Sequence, residues 1–130
     1  MKVSCQRTEW YLLNSKDVAS GKNMMTNYVG VSLGKIYSVY GVIMYENCLK
    51  YLLFDEYGMP NWYPAELFSV VDSRIPLGWH YTFYGSEISL TAVWGYEELV
   101  NSDTHYDELC EQEPRALDLF NRRRREADTK

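Results

Sequence analysis

A chain of 130 residues with 46% hydrophobic and 24% charged residues is expected to form a single domain, large enough to bury roughly two-thirds of its unfolded surface without a structural metal or disulfide. Its 15% aromatic content, with 12 tyrosines and 4 tryptophans, suits both a β-rich core and a sticky surface. The net charge of −5 disfavours a nucleic-acid backbone as partner and favours basic surfaces.

Residues 3–7 alternate as a first strand, with Val3 and Cys5 on one side and Ser4 and Gln6 on the other. The apolar run Trp10-Tyr11-Leu12-Leu13 precedes a polar stretch at 14–27 that reads as a long loop. Leu33-Gly34-Lys35-Ile36-Tyr37-Ser38-Val39 is a turn feeding an alternating strand, and residues 49–54 form a second strand. Tyr57-Gly58-Met59-Pro60 is a turn, and Asn61-Trp62-Tyr63 is a third strand stopped by Pro64. Adjacent residues of a strand face opposite ways, so at most one of Trp62 and Tyr63 is expected to point into the core. Ala65-Glu66-Leu67-Phe68 allows one helical turn before strand resumes at 69–71.

Pro76 and Gly78 punctuate the next connection. The runs 79–84 and 88–94 pair as a hairpin through Gly85-Ser86-Glu87, or else the first is a loop held by its rings and only the second is a strand. After Gly95 the pattern turns helical. Residues 96–100 suit a short helical turn. Asp103 is a plausible N-cap for a helix carrying Tyr106, Leu109 and Cys110 on one buried stripe. Pro114 suits the first turn of a further helix, with Ala116, Leu117, Leu119 and Phe120 on its apolar face. Arg122 to Arg125 then complement the helix dipole as a solvated end, and the tail at 126–130 is expected to fray. The expected fold class is mainly β (α+β): a partly open β-barrel over residues 1–95, with one or two C-terminal helices over 96–126.

The charge is unevenly spread: +3 over residues 1–35, −4 over 36–72, and −2 in each of 73–100 and 101–130. Three widely spaced cysteines, Cys5, Cys48 and Cys110, with no C-x-x-C, suit neither a disulfide framework nor a zinc site. The N-terminal MKVSCQRTEW lacks the apolar run of a secretory signal, and no segment is apolar and long enough to span a bilayer. A cytoplasmic protein with reduced thiols is expected.

No phosphate-cradling, dinucleotide-binding, nucleophile-elbow or zinc-protease motif is present. The histidines are His80 and His105. A nucleophilic site built on His105 with Cys110 or Asp107 is conceivable, but five residues on a helix put His105 and Cys110 on partly different faces. His80, in an aromatic run, reads as a packed or hydrogen-bonded side chain. One imidazole with Asp103 and Asp107 makes a poor metal site, since metals need three or four converging ligands. No cofactor, no metal and no enzymatic activity are expected.

The strongest candidate site is the acidic, aromatic turn region: Asp55, Glu56, Tyr57, Trp62 and Glu66. Aromatic anchors ringed by carboxylates suit a basic protein partner, the charges speeding encounter and the buried rings slowing release. The plainer alternative is structural, with Trp62 plugging the barrel and the acids facing solvent.

The middle third of the chain resembles an SH3-like barrel. The resemblance rests on Val31 to Val39, on the strand at 49–54, and on Gly58, Trp62-Tyr63-Pro64 and Ala65-Glu66-Leu67-Phe68. It places Pro64 and Phe68 on two positions that line the SH3 peptide groove. The double tryptophan of that groove is absent, with Leu49-Lys50-Tyr51 near its place, so recognition of polyproline ligands is not carried over. The chain is also similar in build to immunity proteins of bacterial polymorphic and contact-dependent toxin systems. The similar features are Gly34-Lys35 with Tyr37 and Val39, residues 55–68, Pro76 to Trp79, Trp94 to Leu99 and the helical end.

That resemblance implies a stoichiometric inhibitor of a cognate toxin domain, whose basic active-site cleft it would occlude. The alternatives are an SH3-like adaptor that binds a peptide or protein without inhibiting it, and a small enzyme using His105. The sequence leaves the oligomeric state open.

Overall fold

The structure, a computed structural model, describes residues 1–11 and 25–129. Among these residues ten strands form: β1 (Lys2–Cys5), β2 (Glu9–Tyr11), β3 (Met25–Asn27), β4 (Ile36–Ser38), β5 (Gly41–Tyr45), β6 (Cys48–Phe54), β7 (Pro60–Pro64), β8 (Phe68–Asp72), β9 (His80–Phe83) and β10 (Leu90–Gly95). A 3-10 turn (Ala65–Leu67) joins β7 to β8, and α1 (Glu97–Asn101), α2 (His105–Cys110) and α3 (Pro114–Asp128) end the chain. Three helices among the described residues exceed the one or two expected. The fold is α+β, with most elements strands.

Every strand pairing among the described residues is antiparallel. A three-stranded sheet runs β4-β1-β8, a five-stranded sheet β7-β6-β5-β10-β9, and β2 and β3 form a separate hairpin. Among the described residues neither larger sheet closes on itself. The 14–27 stretch, expected as loop, ends in strand β3, where Met25 pairs with Tyr11; the rest of it lies outside the described residues.

Two cores explain the strand sequences. Val3, Cys5 and Tyr37 of the smaller sheet meet Val42, Tyr51, Leu53 and Tyr63 of the larger one. On the opposite face of the larger sheet, Ile43, Leu52 and Val93 meet Leu99, Leu109, Ala116 and Phe120 of the helices. A sheet covered on both faces loses the apolar–polar alternation of a half-exposed one. The strand β5, Gly-Val-Ile-Met-Tyr, escapes period-2 reading for that reason. The same geometry corrects the expectation for Trp62 and Tyr63: Tyr63 enters the first core and Trp62 packs against the second.

β5 and β6 are joined by Glu46 and Asn47 alone, both at positive φ (49° and 66°), as a two-residue hairpin turn requires. The expected 79–84/88–94 hairpin is present, with Ala92 opposite Phe83 and Trp94 opposite Tyr81. α1 docks through Leu99 into a notch formed by the cross-strand pair Gly41 and Gly95. A Cβ at either glycine would stand 2.5 or 2.6 Å from Leu99 Cδ2, so the close approach needs hydrogen at both positions.

Three helical details differ from the sequence reading. The side chain that serves the start of α2 is Ser102, whose Oγ accepts from the N–H groups of Thr104 and His105; Asp103 points its charge to solvent instead. Cys110, assigned to the buried stripe, is exposed at the end of α2 while Leu109 takes the buried position. The chain end does not fray through 126–128: α3 continues to Asp128, whose carboxylate accepts a 2.9 Å hydrogen bond from the Tyr40 hydroxyl.

Candidate functional site

The β6–β7 turn is organised by Asp55. Its Oδ1 accepts from the backbone N–H groups of Tyr57 (3.0 Å) and Met59 (3.3 Å), and its Oδ2 from Asn61 Nδ2 (2.7 Å) and the Tyr63 hydroxyl (2.6 Å). The residue is 4% exposed. A buried carboxylate is tolerable because donors fill its lone pairs. Burial first, then the neighbouring Asp55, pushes the Tyr63 hydroxyl's pKa well above its usual range. Gly30 closes the pocket from the other side, since a Cβ there would collide with the Tyr63 oxygen. Asp55 is therefore a turn anchor and offers no exposed charge to a partner.

The neighbours of Asp55 are differently placed. Glu56 is exposed and accepts from Ser32 Oγ (2.7 Å) and Lys35 Nζ (3.3 Å). The Ser32 hydroxyl chiefly, with Lys35 beside it, holds its carboxyl below the ordinary 4.5. Tyr57 is exposed on the same turn. Glu66 is exposed on the 3-10 turn at the other end of β7, roughly 15 Å away at strand spacing. Trp62 lies on the opposite face of the sheet, its ring 5.9 Å from that of Tyr106. The five residues do not form one surface.

Pro64 is buried, and Phe68 packs between Tyr37 and Tyr51 at 6.3 and 6.1 Å. Phe68 serves the first core. His105 is buried, its Nε2 2.6 Å from the Tyr96 hydroxyl, with the donor set by the imidazole tautomer. Burial lowers its pKa, and Glu98 and Glu108 oppose that shift. His80 is exposed, with Nδ1 3.4 Å from Asn101 Nδ2. Among the described residues no three His, Cys, Asp or Glu side chains are grouped to hold a metal ion.

The arginine run is not a uniformly solvated helix end. Arg123 forks onto Glu98 of α1 (2.8 and 2.6 Å) and also bonds Glu126. Arg124 lays its guanidinium 3.9 Å over the Phe54 ring. Arg122 and Arg125 alone of the four face solvent. Two of the four cations thus clamp α3 to the body of the fold.

A surface that single-residue reasoning missed lies between the larger sheet and α1–α2. Two adjoining hollows of about 530 and 490 Å³ share Leu90, Tyr106 and Asp107 and form one open trough. Its residues come from β5, β6, β7, β9, β10 and both helices, so no sequence window contains it. One signal was available: seven acids and no Lys or Arg occur from Glu97 to Glu113. Glu98 is paired with Arg123 and Glu108 with Arg115. Glu97, Asp103, Asp107, Glu111 and Glu113 are exposed and have no ion-pair partner among the described residues. The trough's opposite wall carries Trp62, whose indole N–H is buried.

No helix is long and apolar enough to cross a membrane among the described residues. No protein-family model, curated protein or solved structure matches the chain.

Proposed function

We propose that this protein is a stoichiometric protein-binding module that acts in the cytoplasm, specifically an immunity protein that neutralises a cognate toxin domain by covering its basic active-site cleft. The observation that carries this reading is the set of five exposed carboxylates at residues 97–113 with no ion-pair partner among the described residues, two of which, Asp103 and Asp107, line a trough together with the exposed Tyr84 and Ile88. Unpaired acids beside apolar anchors combine fast, charge-steered encounter with slow release. The three widely spaced cysteines, with no C-x-x-C, fit a reducing compartment.

An SH3-like, partly open barrel is proposed as the core of the fold. What supports it is the pairing: β1 lies between β4 and β8, and the β5–β6–β7 meander leads through the 3-10 turn into β8. The β9–β10 pair and the helices extend that unit along the free edge of β5.

The test is capture of a partner with the tagged chain at low and at physiological ionic strength (about 0.15 M), followed by assay of the partner's own activity. A one-to-one complex with a basic domain whose activity falls to zero at one equivalent supports the inhibitor reading. A complex that leaves the partner active favours a non-inhibitory adaptor.

A further inference from the structure

We infer that the trough between the β9–β10 hairpin and the α1–α2 turn is the docking site for this partner, and that a lysine- or arginine-bearing segment of the partner occupies it. The inference rests on the binding-module reading above. The floor is apolar and accessible: Tyr84 and Ile88 are 43% and 54% exposed, and Leu90 and Tyr106 continue it. Asp103 and Asp107 stand on the rim, exposed and unpaired among the described residues. The aliphatic stem of a lysine or arginine lies along such a floor while its charged head reaches the rim. The tyrosine faces add attraction for the same cation.

The chemistry excludes other occupants. An acidic segment meets Asp103 and Asp107 at close range. A second copy of this chain, itself at −5, brings the same carboxylates face to face. The trough is also preorganised: Ser102 Oγ holds the N–H groups of Thr104 and His105 at 3.3 and 3.2 Å and so fixes the turn that presents Asp103, which lowers the ordering cost of binding. At the far end, Lys50 favours acceptor groups such as the partner's backbone carbonyls. The trough therefore takes a basic side chain at one end and main chain at the other.

The test titrates the isotope-labelled full chain with octalysine, with octaglutamate as control, and follows backbone amide shifts by NMR. The inference predicts that octalysine shifts cluster at residues 84–90 and 101–107 and that octaglutamate produces none there. The Asp103→Lys/Asp107→Lys double variant, at two exposed positions, is expected to weaken octalysine and the captured partner by about a hundredfold, and Ile88→Ser the partner by about fivefold. Glu66→Lys, outside the trough, is expected to change affinity less than about twofold. Shifts centred on Glu46, Glu56 or Glu66 overturn the inference, as does a double variant that keeps full affinity with an unchanged amide spectrum. If the double variant binds the captured partner with undiminished affinity, the trough assignment fails and the binding-module reading stands. If the parent chain captures none, the binding-module reading fails.

Discussion

The Tyr63 hydroxyl donates a 2.6 Å hydrogen bond to Oδ2 of Asp55 inside the first core, and so ties the middle of β7 to the turn that precedes it. Removing one member of a buried, hydrogen-bonded set leaves the others unsatisfied. Asp55→Ala is expected to cost about 2–4 kcal/mol and Tyr63→Phe about 1 kcal/mol, measured by urea denaturation. Glu56→Gln, one turn residue on, removes an exposed pair and is expected to move the urea midpoint far less than Asp55→Ala. Equal losses at Asp55 and Glu56 would contradict the assignment of Asp55 as the turn anchor.

The arginines of α3 are expected to separate into two classes. Arg123→Ala removes the fork onto Glu98 and is predicted to cost about 1 kcal/mol, whereas Arg122→Ala is predicted to cost almost nothing. Thermal melts of the two variants under identical conditions test this. Similar melting temperatures would mean that the Arg123–Glu98 fork contributes no stability.

Gly41 is expected to resist substitution. A methyl at Gly41 meets Leu99 Cδ2 at 2.5 Å and Trp62 Cη2 at 3.3 Å, both in the packed layer under α1. Gly41→Ala is predicted to destabilise by about 1–3 kcal/mol through overpacking, and Gly41→Ala combined with Leu99→Ala by less than the sum of the singles, because the second change removes the clash. Additive losses in a double-mutant cycle would contradict the notch.

Stability is expected to fall with acid in two stages. His105 is held below its ordinary 6.5 by burial, with Glu98 and Glu108 opposing, so the unfolded chain takes up its proton first. The contribution is complete above pH 6.5 and is lost as pH falls toward the depressed folded value. Glu56, Glu98 and Glu108 are held below 4.5, by Ser32, Arg123 and Arg115 respectively. Their contribution is present above 4.5 and is lost at lower pH. Urea midpoints at about pH 7.5 and about pH 5.5 are expected to differ for the parent chain and to converge for His105→Gln. An unchanged difference in the variant would remove His105 as its source.

Much of the strand order was legible because turns and alternation are local. Gly34 and Gly58, both at positive φ, mark the turns before β4 and β7, and Val3 and Cys5 alternate with Ser4 as written. β5 was illegible because Val42 and Ile43 are buried on opposite faces by two different layers. The candidate site failed as a unit for a related reason. Asp55, Glu56, Tyr57, Trp62 and Glu66 are neighbours in sequence, but strand geometry sends Trp62 through the sheet, and Asn61 and Tyr63 fold back to draw Asp55 inside. The trough needs Tyr84, Leu90 and Tyr106 brought together by tertiary structure, and only its acidic rim left a trace in the sequence.

The most direct test of the central claim is the affinity of the captured partner for the parent chain and for the Asp103→Lys/Asp107→Lys variant, measured by calorimetry across a salt series. The account predicts one-to-one binding to a basic partner that weakens as salt rises, and a variant about a hundredfold weaker with a flatter salt dependence. A partner that binds both chains equally, with the same salt dependence, would contradict it.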